Sequence, residues 1–155
     1  MLSGPNHQGL VVADWRNNNG GEMGSDQVAA IRPIIAELEA ADAEREGRPV
    51  RFFGSFSLPV EGGPWVEAYF DGEIIVNLWY PFQEEPLDYL AKLGIQPLPG
   101  AMVVEIRRPF CVLAFDRVPT SVLAKFIDTL FTEMYACGED YEIDVALDTL
   151  APMAG

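Results

Sequence analysis

A single histidine, His7, serves a chain of 155 residues, and it falls in a leading stretch rich in Gly and Asn. A Ser-His-Asp or Cys-His relay, or a metal centre of several histidines, cannot be assembled inside the fold, since each needs an imidazole beside its nucleophile or metal. Cysteine is nearly as scarce. Cys111 lies in an apolar run and Cys137 near a helix end, too far apart for a CxxC motif, so both read as buried free thiols. The apolar neighbours of Cys111 argue against the access and lowered pKa that a nucleophile requires. Phosphate loops of the GxxxxGKS/T or GxGxxG type do not occur. No run approaches about 18 apolar residues, so no membrane span is expected. The first 25 residues lack a basic segment followed by an apolar one, and the expected compartment is the cytoplasm.

Positive charge is the next shortage: ten Lys and Arg against 24 Asp and Glu leave a formal net charge of −14. Nucleic-acid affinity rests on Lys and Arg displacing condensed counterions, so nucleic acid is excluded as a partner, and anionic membranes are disfavoured. Basic protein partners are attracted by the same field, and plain solubility is its simpler role. After Lys125 come Asp128, Glu133, Glu139, Asp140, Glu142, Asp144 and Asp148 with no Lys or Arg among them, which makes the C-terminal end an acidic surface.

What is present is apolar material, 49% of positions, enough for one core. Residues 1–25 read as a flexible arm, with Leu10-Val11-Val12 as a possible edge strand and Trp15 able to dock; 26–150 read as one α+β domain and 151–155 as a tail. Ser25 is placed to cap a helix carrying Val28, Ile31, Ile35 and Leu38; Pro33 either kinks it or sits at the first position of a helix that begins one residue before it. Val50–Leu58, Trp65–Phe70 and Glu73–Tyr80 read as strands, the last two joined through Asp71-Gly72 as a type I′ hairpin. In Trp65–Phe70, strand alternation puts Val66, Ala68 and Phe70 on one face and Trp65, Glu67 and Tyr69 on the other. A short helix over Glu85–Leu93 turns Leu87, Leu90 and Leu93 inward and stops at Gly94. Met102–Arg107 and Phe110–Phe115 form a second hairpin, both strands apolar enough for a central, covered sheet. Thr120 opens the longest helix, with Val122, Leu123, Phe126, Ile127, Leu130, Phe131 and Met134 as its stripe. Tyr141, Ile143 and Val145 then make a short strand or an extended arm. The predicted order is α-β-β-β-α-β-β-α, one mainly antiparallel sheet packed by helices.

Carboxylates gather at Glu84-Glu85 with Asp88 and at Glu139-Asp140-Glu142-Asp144, without the spacing or glycine of a calcium loop, and both groups read as solvated surface. No metal or cofactor is expected. Aromatic residues are the remaining candidates. Trp65, Tyr69, Trp79, Tyr80 and Phe82 converge on the first hairpin and its exit, and one sheet cannot bury both faces of every strand under three helices. Some of them line a groove able to hold an extended peptide, or else all are core.

With that element order in view, the chain resembles the superfamily that joins class I type III secretion chaperones with YbjN-like proteins. Leu90-Ala91-Lys92-Leu93-Gly94-Ile95-Gln96-Pro97 is similar to an LxxLG passage of an actinobacterial branch, in which an aromatic residue stands where this chain has Ile95. The resemblance spans about residues 26–145. It implies a non-enzymatic, chaperone-like module that binds partly unfolded protein segments as a homodimer, without a cofactor. The charge supports a different expectation equally: an acidic immunity-type inhibitor of a basic toxin or nuclease.

Overall fold

The computed structural model describes residues 26–138 and 140–149. The expectations for the arm and its Trp15, for Ser25 as a cap and for the tail lie outside the described residues. Helix α1 (Asp26–Ala43) buries Ile31, Ile34, Ile35 and Leu38, which recur every three or four residues and so share a face. Pro33 sits in its interior, on the exposed side beside Arg32, and neither begins nor ends it. A missing N–H there removes one solvent-facing bond, a cost outweighed by the buried stripe. Gln27 is the one buried polar residue of the core among those described, and its amide donates to the Tyr141 carbonyl, tying the start of α1 to the C-terminal segment.

Strands β1 (Phe52–Ser57), β2 (Trp65–Asp71) and β3 (Glu73–Trp79) form an antiparallel meander. The β2–β3 turn is tighter than a type I′ hairpin. Asp71 pairs with Glu73 and only Gly72, at φ +78, is left-handed, whereas type I′ needs two such residues. Helix α2 (Pro86–Lys92) begins with Pro86 behind Glu85, whose carboxylate accepts from the Asp88 N–H at 2.9 Å. It ends in a Schellman stop: Gly94 is left-handed, its N–H bonds to Ala91, and the Ile95 N–H reaches back to Leu90 at 2.9 Å. Leu90 and Ile95 are buried while Leu87 and Leu93 are half-buried. The passage that carries the family resemblance is therefore a helix stop with its apolar clasp.

Strands β4 (Met102–Arg107) and β5 (Phe110–Phe115) pair as expected, but they are not equally covered. The sheet order is β4-β5-β3-β2-β1-β6, so β5 is interior and β4 an edge, with Met102 and Val104 more than half exposed. A register shift between Val103 and Glu105 bulges β4 outward. Helix α3 (Thr120–Thr129) continues as a π-helical turn over Leu130–Met134, and even together they are shorter than the 18 residues of α1. Val122 leaves the stripe and is exposed; the other six predicted stripe residues are buried. The C-terminal segment is a strand, β6 (Asp144–Thr149), antiparallel to β1 from Ser57↔Asp144 to Phe52↔Thr149. The result is three helices and a six-stranded antiparallel sheet of α+β class.

Both long helices pack on one sheet face. Ile34 and Leu38 of α1 press on Gly54, and Phe126 of α3 meets Phe115 edge to face at 5.3 Å. Phe56, Val66, Ala68, Ile74, Val76, Leu78, Leu113 and Val145 make up that face and are fully or almost fully buried.

Candidate functional site

Strand alternation sends the other half of each strand to the opposite face, over which no described helix packs. Pairing arranges it in three rows across the strands. The middle row runs Ala146–Ser55–Glu67–Asn77–Val112–Glu105. One row beside it carries Asp144, Ser57, Trp65, Trp79, Phe110 and Arg107; the other carries Asp148, Phe53, Tyr69, Ile75, Ala114 and Met102. Small residues or a carboxylate fill much of the middle row and rings fill the flanks, which gives a trough across the strands with walls about 13 Å apart at a strand's rise per residue. Phe53, Trp65, Tyr69, Ile75, Trp79 and Phe110 are all half-buried, unlike their counterparts on the helix side. Trp65 reaches Phe110 at 6.4 Å between ring centres, and Trp79 meets Tyr135 at 5.8 Å while its carbonyl accepts from the Tyr135 hydroxyl at 2.6 Å.

One acid stands in the trough floor. Glu67 accepts a long hydrogen bond, 3.4 Å, from the Asn77 amide. Burial pushes its carboxyl above the ordinary value of 4.5; the Asn77 bond opposes this and the charge of Asp148 adds to it. The other end of the same amide is stranded: Asn77 Oδ1 is buried without a hydrogen-bond partner among the described residues. Tyr69 is also pushed up, by burial and then by Asp71, and stays a neutral phenol.

The five sequence candidates are thus divided. Trp65, Tyr69 and Trp79 share the trough. Tyr80 and Phe82 do not: Tyr80 follows Trp79 directly, so alternation turns it to the covered side, where it is fully buried and its hydroxyl donates to the Glu84 carbonyl at 2.6 Å. Phe82 packs on Tyr80 and Tyr89, at 5.2 and 4.7 Å between ring centres, and fastens the segment before α2. Phe53, Phe110, Glu67 and Asn77 belong to the trough instead. For Phe53 and Phe110 the period-two count was available in the sequence, but which strands lie side by side was not.

Burial pushes the Cys111 thiol up to about 12, so it is not a thiolate at neutral pH. No three His, Cys, Asp or Glu side chains among the described residues gather as metal ligands. Glu84 pairs with Lys92 at 2.8 Å, Glu85 caps α2, and Asp128 accepts from the Tyr141 hydroxyl at 2.6 Å. A cleft of about 200 Å³ beyond the end of α1 is lined by Leu38, Phe52, Phe70 and Arg45, but Arg45 and Arg117 both close on Asp42, at 2.9 and 3.0 Å. Among the described residues no helix is long and apolar enough to cross a membrane. No family model, curated protein or solved structure matches this chain.

Proposed function

We propose that this chain is a non-enzymatic protein-binding module, chaperone-like in that its open sheet face holds an extended, basic segment of a partner. The observation that carries it is the trough: six half-exposed apolar side chains, five of them aromatic, contributed by neighbouring strands, with no described helix over them. Charge complementarity selects the occupant. Glu67 lies in the floor, Asp144 and Asp148 at the β6 end, Glu73 near the hairpin, and the one base in the three rows, Arg107, is already paired with Glu105 at 2.8 Å. The resemblance to type III secretion chaperones and YbjN-like proteins supports the same reading. Titrating the ¹⁵N-labelled protein with a capped, lysine-containing Thr-Val octapeptide tests it. Shifts should gather on the backbone amides of Trp65, Glu67, Asn77, Trp79 and Val112; shifts confined to α1 and α3, or none, would sink the reading.

The acids of β6 support a second reading, an acidic immunity-type inhibitor seated on a basic toxin or nuclease. It differs in its response to salt: an antagonist steered by charge loses on-rate steeply with ionic strength, whereas a segment held by rings keeps most of its affinity.

A homodimer through β4 is proposed with the first reading. An antiparallel second copy on that edge sets Glu105 of one chain against Arg107 of the other and covers Met102, Val104 and Ile106, which are exposed. The β6 edge would instead set Asp144 against Asp148 of the second copy. Light scattering should give twice the 17.1 kDa chain mass for the native protein and one chain mass for Val104→Lys. A native monomer would remove the dimer.

A further inference from the structure

We infer that Glu67 and Asn77 form a seat for one cationic head, the ammonium group of a lysine side chain in the bound segment. The inference rests on the trough being the binding face and adds what it recognises. Two acceptors lie side by side there with too few donors. Glu67 and Asn77 are register partners on β2 and β3, their side chains are joined through the 3.4 Å bond, and Asn77 Oδ1 has no hydrogen-bond partner among the described residues. An ammonium carries three donors and no acceptor, so it can satisfy the carboxylate and the stranded carbonyl together. Turning the Asn77 amide over would instead aim its oxygen at the carboxylate, so the protein has no internal remedy while Glu67 is ionised.

The surroundings suit a cation better than any other group. Trp65 and Tyr69 stand two residues to either side of Glu67 on the same face, and Trp79 stands two residues beyond Asn77, so rings border the seat on both walls. The Asn77 oxygen is buried, so an ammonium reaches it only when a neighbouring side chain moves. Ser55, in the same row, leaves the approach from the β6 side low. The charged groups that the strands place on this face are Asp71 on β2, Glu73 on β3, Glu105 and Arg107 on β4, and Asp144 and Asp148 on β6, and the one group reaching it from a helix end, the Tyr135 phenol against Trp79, is neutral. Every charged group except Arg107 is an acid.

The probe is the same capped octapeptide with a central lysine, compared with its norleucine counterpart, which keeps the alkyl stem and loses the ammonium. The native protein should prefer the lysine peptide by about tenfold or more, as a charge-assisted bond with ring contacts predicts. Glu67→Gln should level the two peptides. The preference should also fade as pH falls through the raised titration range of Glu67, above 4.5. Folding of the variant is checked by its melting temperature. A carboxyl whose folded pKa is raised adds stability only below its unfolded pKa and loses it as pH rises through the folded value, so at neutral pH Glu67→Gln should melt no lower than the native protein. Equal binding of both peptides by the native protein, or a preference that survives Glu67→Gln, overturns the seat and leaves the trough intact. Binding of neither peptide overturns both.

Discussion

Replacing Trp65 and Trp79 together by alanine is expected to lower affinity for the lysine octapeptide by about a hundredfold, because half-buried Trp side chains at the centre of an interface typically carry 1–2 kcal/mol each or more. The two rings are successive members of one trough wall, contributed by β2 and β3. Neither is in the buried core: the core at the same positions along the strands is Val66 and Leu78, which the substitutions leave in place. Far-UV circular dichroism should therefore keep its native shape while titration calorimetry records the loss. An intact fold with less than about a threefold loss would mean that the rings are packing only and that the trough is not where partners bind.

Gly54→Val should cost the fold about 2 kcal/mol, and lower the melting temperature by roughly 4–8 °C for a chain of this size. Gly54 lies on β1 directly beneath α1, and its φ is not left-handed, so the demand for glycine is one of space. A Cβ there would stand 2.9 Å from Ile34 Cγ2, 3.1 Å from the Phe56 ring and 3.2 Å from Leu38 Cδ1. Valine is a better strand former than glycine by up to about 1 kcal/mol, so the sign of the result separates the two effects. A fall in melting temperature places α1 in van der Waals contact with the sheet at this point; a rise would mean that the helix is not seated there. Because Gly54 faces away from the trough, peptide affinity at a temperature where the variant is folded should stay native.

Much of the fold was legible because its signals are local. Asp71-Gly72, Glu85-Pro86 and Leu93-Gly94 mark a turn, a helix start and a helix stop by backbone chemistry that needs no distant partner. The stripes of α1 and α3 were legible for the same reason, apart from Val122, since periodicity shows which residues align but not how wide the covered band is. The rank of the helices failed where Pro33 was read as punctuation and not as a solvent-side residue that a buried stripe can carry.

The site was legible only in part. Residue types argued early against a histidine relay, a phosphate loop or thiolate chemistry, and alternation alone already set Trp65 and Tyr69 against Val66 and Ala68. Strand order settled the rest. Nothing near Met102 in the chain says that β4 is an edge, and nothing near Glu67 says that Asn77 lies opposite it, because pairing is between residues remote in sequence and a shift of one position would turn every side chain to the other face. The sequence by itself determined which side chains travel together along each strand; the tertiary structure decided which strands are neighbours, and with that which rings, acid and amide share one face. Side-chain direction follows from backbone geometry within a strand, whereas adjacency follows from how the whole sheet closes against its helices.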